Sequence, residues 1–410
     1  MRGNTLYLIF MGMVFLGTGT VQAVEEISVF AGVEGRVNCP VVVDLPAGTT
    51  LSGEELKLVG ENMEIPVTVI QQGNETQQLA FIISEMKPYE KQTFKLESGA
   101  AQQQQKVTIQ DTGSALEFSI NGQPFTTYHY ETSDKVPRPI FYPVLGPGGI
   151  RMTRGYPMDP QEGDAKDHPH HQSLWVSHGA VNHADFWLIE KNMGYQRHKS
   201  FETVQDGDVC AQFVESIEWV DNAQKPVMSE VRKVTIWALP ENARAIDFEI
   251  TFIPNYGDVT FGDTKEGGLI SLRVASSMQE NTPEKKKGGT IFNANEQEGE
   301  KNAWGKAAAW CDYYGPVGGI TAGFTIMDHP ENLFFPTNYH VRSYGLFTAN
   351  PFGLSDFMRD ENVDGSRILK EGETWNLKYR VYLHEGDTKA GNVESMYSNF
   401  VDMPQVFFAK

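Results

Sequence analysis

The chain has 410 residues, of which 40% are hydrophobic and 21% charged, an ordinary globular composition long enough for two domains or one large β domain. A net charge of −19 argues against nucleic acid or an anionic membrane surface as partner. The three cysteines, Cys39, Cys210 and Cys311, form no CxxC pair and allow at most one bridge, so no disulfide framework is expected and three buried thiols fit equally well.

Residues 1–23 read as a secretory signal peptide. Arg2 supplies a short basic region, Leu6 to Leu16 an apolar core, and "VQA" the small residues that predict cleavage after Ala23. The core is shorter than the roughly 20 residues a membrane helix needs, and no later run is long and apolar enough. A periplasmic or extracellular protein without membrane insertion is therefore expected.

Strand signals dominate the chain beyond residue 23. Residues 24–110 are expected to form a small β module, with "LKLVG" and "IPVTVI" as strands. The low apolar content of "SGAAQQQQK" and the turn residues of "DTGS" place a boundary near 98–113. Residues 113–400 would form the main body. "ALEFSINGQPFTTYHY" reads as a hairpin turning at Asn121-Gly122. "RKVTIWAL", "LISLRVA" and "ITAGFTIM" add strands. In "AIDFEITFI", Ile246, Phe248, Ile250 and Phe252 alternate with polar residues, and "WNLKYRVYL" does the same except at Tyr382. A period of two marks half-buried antiparallel strands, so the expected class is all-β, a large antiparallel sandwich preceded by a small β-sandwich module. A helix near 390–400 is a weaker signal. The basic run Lys285–Lys287, flanked by Pro283 and Gly288, reads as a solvated loop tip.

Five of the ten histidines fall in "DHPHHQSLWVSHGAVNHADFW", residues 167–187. In extended geometry His168 and His170 share a face and His171 takes the other, although Pro169 points to an edge, bulge or loop. Such a group can supply a general acid, a pair of metal ligands or a polar loop. His168 and His170 are the candidate ligands of a divalent metal, but the spacing matches no HExxH or paired-cysteine pattern. Trp175 offers a stacking face for a sugar ring, against the commoner use of tryptophan in a β core. Asn182 and Asp185 offer hydrogen bonds to hydroxyls. Upstream, the Gly-Pro turn of "FYPVLGPGGIRMTRGYP" brings Arg154 toward the same stretch.

Two later stretches complete the candidate site. In "FGDTKEGGLISLRVA", Glu266 at a strand entrance suits a general base, with Lys265 beside it. In "PTNYHVRSYGLFTANPFG", His340 and Arg342 share a strand face, and Asn350 lies in the turn beyond. His340 would move a proton, while Arg342 and Asn350 would hold substrate. No GxSxG elbow is present, which removes nucleophilic serine chemistry.

These stretches, with "AWGKAAAWCDYYGPVGG" and the opening "GRVNCPVVVDLP", resemble the DUF6807 family of exported bacterial proteins from about residue 25 onward. Its members often carry the label methane oxygenase PmoA, which implies a metal-dependent oxygenase. The membrane-bound subunit of that name is built on membrane-spanning helices, which this chain lacks after the signal peptide. The strand-rich body looks like the supersandwich of galactose mutarotases, where a histidine acid and a carboxylate base work on a sheet face. That likeness implies acid–base chemistry on a sugar or sugar acid, with His168, His170 or His171 as acid or metal ligand and Glu266 as base. The alternative is a β-sandwich that binds a small-molecule or oligosaccharide ligand without turnover.

Overall fold

The computed structural model describes residues 26–409 apart from positions 48, 50, 52–54, 73–75, 103–105, 191 and 285–287. The stretch read as a signal peptide, residues 1–23, and the Lys285–Lys287 run lie outside the described residues. Two eight-stranded antiparallel sheets form the main body. The first runs, in spatial order, through Tyr339–Val341, Leu346–Ala349, Gly267–Arg273, Leu174–His178, Ile140–Val144, Gln123–His129, Ala115–Ile120 and Val107–Asp111. The second runs through Tyr195–Gln205, Cys210–Val220, Pro226–Trp237, Ala243–Ile253, Trp375–Glu385, Ile320–Asp328, Trp310–Val317 and Thr290–Asn293. The protein is an all-β sandwich.

The alternation in the sequence maps onto the space between the sheets. Ile246, Phe248, Ile250 and Phe252 are buried there with Leu377, Tyr379 and Val381 from the neighbouring strand, and meet Phe141, Leu174, Ile270 and Leu272 from the first sheet. Each such side chain removed from water stabilises the fold by roughly 1.5–3 kcal/mol. Tyr382, the exception to the alternation, faces the other way. It packs with Met396 of the helix Val393–Val401 and with Ile70 and Ala80 of the N-terminal module, so this strand is covered on both faces. The predicted hairpin turns at Asn121 and Gly122, whose φ values of 53° and 74° fit a type I′ turn.

The small module has seven strands, in the order Arg36–Asp44, Thr76–Met86, Glu64–Gln72, Leu56–Val59, Lys91–Ser98, Glu26–Phe30 and Gln405–Ala409. Two of its edges differ from the sequence expectation. Val107–Asp111, read as the end of the module, pairs with Ala115–Ile120 in the first large sheet. Gln405–Ala409 returns from the C-terminus to pair with Glu26–Phe30. Main-chain pairing between such distant segments leaves no local signature. All three cysteines are buried and free.

Candidate functional site

The floor of the site is the face of the first sheet turned away from the core. Pairing puts His340 opposite Thr348, Thr348 opposite Ser271, Ser271 opposite Trp175, and Trp175 opposite Ile140. This row crosses five strands, and its in-sequence neighbours (Val341, Phe347, Leu272, Leu174 and Phe141) point into the core. Ser271 and Thr348 bond each other through their hydroxyls at 2.8 Å. Two residues further along and on the same face, Arg273 pairs with Leu346 and is fully buried.

Arg273 organises the histidine segment from below. One oxygen of Asp167, Oδ1, accepts from Arg273 Nη2 and Arg154 Nη1, both at 2.7 Å. Arg154, also fully buried, donates to the carbonyls of Ala165, Asp167, His168 and His171. The segment thus wraps a guanidinium and forms a loop, with His168 in the left-handed region at φ 42°. Burial raises the Asp167 pKa, but the His168 hydrogen bond and the charges of Arg273 and Arg154 outweigh it and leave the carboxyl well below the usual range.

The rings of this loop form a continuous stack with the third stretch. His168 lies parallel to His171 at 4.8 Å and to Tyr344 at 4.9 Å. The Arg273 and Arg342 guanidiniums sit 4.9 and 5.3 Å from the Tyr344 ring. Arg342 also lies 5.9 Å from Trp304, whose ring is 6.1 Å from His340. Arg342 is held by Glu300 at 2.8 Å, and Glu300 also receives the Ser343 N–H at 2.7 Å. Burial pushes the Tyr344 hydroxyl up to about 12, with Arg342 and Arg273 opposing and the Glu266 and Asp167 charges adding to the rise. Glu266 therefore belongs to the same neighbourhood. Its carboxylate makes no hydrogen bond or ion pair among the described residues, and its backbone carbonyl accepts from Gly179.

Hydrogen bonding fixes the protons on two imidazoles. Arg273 Nη1 lies 3.1 Å from His171 Nδ1, and a guanidinium can only donate, so the His171 proton sits on Nε2. His340 Nδ1 lies 2.6 Å from the Lys265 carbonyl, which can only accept, so its Nε2 carries a bare lone pair. Burial, together with Arg273 and the flanking histidines, keeps His171 well below the usual histidine range. Burial takes His340 down to about 4 and His170 to about 3. All three are neutral at pH 7.

Several buried polar atoms around this stack have no hydrogen-bond partner among the described residues: Nε2 of His170, His171 and His340, Nε1 of Trp187 and Trp304, and Nε2 of Gln279. Buried polar groups are nearly always paired, and each left unpaired costs about 1–3 kcal/mol. Their concentration on one face of one sheet is the physical mark of a candidate ligand site.

The predicted residues divide accordingly. His168, His170, His171, Glu266, His340 and Arg342 gather along the stack. Arg154 does not face a ligand, because the loop uses its donors. Asn350 is likewise engaged: it donates to the carbonyls of Thr264 and Lys265 and accepts from Phe352, fixing the turn before Glu266. Lys265 pairs with Asp356. Asn182 bonds Thr260 and Asp258 in an exposed turn, and Asp185 receives the N–H groups of Trp187 and Leu188, setting Trp187 in place. Trp175 is floor, its N–H bonded to Ser177. Sequence patterns did not single out Asp167, Arg273, Tyr344, Trp304 or Gln279. Arg273 had a signal, a charge inside the apolar strand "LISLRVA".

As for the candidate metal ligands, imidazole lone pairs lie in the ring plane, so the parallel His168 and His171 rings cannot share one ion. His168 and His170 stand at 80° to each other. Among the described residues no group of three or more His, Cys, Asp or Glu is placed to hold a metal. A cleft of about 750 Å³ lies elsewhere, between Glu34, Trp310 and Glu394. None of its lining side chains has a buried unpartnered atom, so the chemistry points to the Tyr344 stack rather than to that cleft.

Fold and site together define a two-sheet β-sandwich protein with a candidate ligand site on the outer face of one sheet, under a histidine loop. Residues 115–398 match a family described as "Family of unknown function (DUF6807)", and the chain belongs to that family. No curated protein matches it. No helix among the described residues is long and apolar enough to cross a membrane.

Proposed function

We propose that the protein is an exported enzyme that removes a proton next to a carbonyl or carboxyl group of a sugar or sugar acid, leading to epimerisation or elimination. The observation that carries this reading is the set of unpartnered buried polar groups around Tyr344, beside a single uncommitted carboxylate, Glu266. Glu266 takes the proton as the C–H bond breaks. The electron pair moves to the carbonyl oxygen, where the neutral His171 Nε2–H and the Arg342 guanidinium supply hydrogen bonds. A neutral imidazole suits this role because it donates without surrendering its proton. Delivery of a proton from water to the opposite face of that carbon gives the epimer, and expulsion of a neighbouring alkoxide, which takes the proton now on Glu266, gives the unsaturated product. His340 Nε2, a fixed acceptor, receives a substrate hydroxyl. Glycoside hydrolysis fits less well, since it calls for a pair of working carboxylates, and Asp167 and Glu300 are both bound to arginine.

Deuterium wash-in from D2O, followed by mass spectrometry over a panel of aldonic and uronic acids and keto sugars, tests the proton transfer whatever the net reaction. Glu266→Gln is expected to slow wash-in by about 10²–10⁴-fold with the thermal unfolding midpoint unchanged. Wash-in at the wild-type rate in that variant would remove Glu266 from the chemistry. Tight binding without any wash-in would favour the glycan-binding alternative.

A further inference from the structure

A hollow lies on the same sheet face, on the other side of the histidine loop from the Tyr344 stack. It encloses about 710 Å³, within the range of small-ligand sites, and is lined by Ile140, Tyr142, Met158, Pro169 and Gln172 among others. Its floor belongs to the apolar cluster that continues through Trp175, Trp187 and Leu346 to Tyr344. Ile140 and Trp175 are direct cross-strand partners. The loop lies between the hollow and the Tyr344 stack: His168 stacks on Tyr344, while the next residue, Pro169, lines the hollow.

Gln172 shows what this hollow is built to meet. The residue is 1% exposed. Its Nε2 donates to the Lys135 carbonyl at 2.7 Å, which fixes the amide orientation. Its Oε1 is then a buried acceptor with no partner among the described residues, in a residue that lines the hollow. The rim adds the carboxylates of Glu131 and Asp134, so acceptors outnumber the one cation, Lys135. An apolar floor with acceptors above it suits the C–H face and hydroxyls of an uncharged sugar ring. A negatively charged ring would face Glu131 and Asp134. The Tyr344 site, rich in donors and flanked by arginines, has the opposite preference.

We infer that this hollow is a second sugar subsite, which holds a neutral sugar ring of a glycan whose neighbouring residue occupies the Tyr344 site. This subsite names the substrate of the proposed enzyme as an oligosaccharide, and rests on that proposal for the identity of the first subsite. The protein's natural substrate is then a neutral sugar linked to the reacting unit, not a free monosaccharide.

Binding and turnover are measured separately to test it. Calorimetry with a panel of neutral disaccharides of glucose, galactose, mannose, xylose and N-acetylglucosamine reads the hollow alone. At least one is expected to bind wild type and Glu266→Gln equally. Gln172→Met, which removes the acceptor, and Ile189→Trp, which fills the hollow that Ile189 also lines, are each expected to weaken that binding by about tenfold or more. Ile189→Trp covers the case in which the Gln172 variant fails to fold. In wash-in assays both variants are expected to raise KM for a disaccharide carrying a sugar acid while leaving exchange on the free acid unchanged. Failure of every neutral disaccharide to bind, or full binding in a folded Ile189→Trp variant, overturns the subsite. Disaccharide binding that both variants weaken, without any wash-in, sustains the subsite and overturns only the proposed chemistry.

Discussion

Two buried polar clusters in this molecule use similar residues and end in opposite states. Inside the sandwich, Glu215 receives the Tyr128 hydroxyl and pairs with His198 at 2.7 Å. Nearby, Glu230 takes Arg232 and the Trp219 N–H, both at 2.7 Å, and Arg232 reaches on to Tyr128 and Gln196. None of these side-chain atoms is left without a partner among the described residues. Around Tyr344 the same residue types leave imidazole, indole and amide groups unmatched. Residue type alone therefore does not distinguish a structural network from a site. The difference is whether hydrogen-bonding capacity closes within the protein or stays open toward a ligand.

The comparison can be broken most forcefully at Glu230. Glu230→Leu strands the fully buried Arg232 and is expected to cost about 3–5 kcal/mol in urea denaturation, against little change for Glu266→Gln. Equal costs would mean that the two clusters are closed to the same degree.

Acid is the next lever. His178 and His340 are fully buried, and burial lowers each from 6.5 to about 4. The unfolded chain therefore binds more protons than the folded one between these values, and stability rises with pH across that window. The contribution of these two histidines to the unfolding free energy is expected to fall by a few kcal/mol as pH drops from about 6.5 to about 4, partly offset by Asp328, which burial raises to about 7. His340→Gln should flatten the slope in denaturation series at successive pH values. An unchanged slope would show that His340 is not held neutral.

The finest test is a pair of matched changes. Trp219→Phe and Trp187→Phe remove the same ring atoms from fully buried positions. Only the first breaks a bond, leaving Glu230 short of a donor. Trp219→Phe is expected to be the more destabilising by about 1–3 kcal/mol, as read from unfolding midpoints. A reversed order would mean that the Trp187 N–H is satisfied in the free protein.

How much of the fold and site was legible in the chain depends on range. Ile246 to Phe252 and Trp375 to Leu383 announced buried strands because alternation is a property of adjacent residues. The histidine stretch, Glu266 and the His340–Arg342 pair stood out by composition and lie together in the fold. Asn182, Asp185, Arg154 and Asn350 looked equally suited to substrate, yet each is engaged by backbone groups. Nothing in their immediate sequence distinguishes a polar side chain that holds a turn from one that meets a ligand. Asp167 and Arg273 were invisible for the converse reason, since their ion pair joins residues 106 positions apart.

The sequence by itself determined the strand-rich class, the hairpin at Asn121-Gly122, the family and the three stretches that carry the candidate chemistry. Those rest on local sterics and on the two-residue repeat of a pleated strand. Only the tertiary structure decided which proton sits on which imidazole, that Glu266 stays uncommitted, and that Gln405–Ala409 closes the N-terminal module. Each of these depends on groups brought together from distant positions by sheet pairing, which no local pattern encodes.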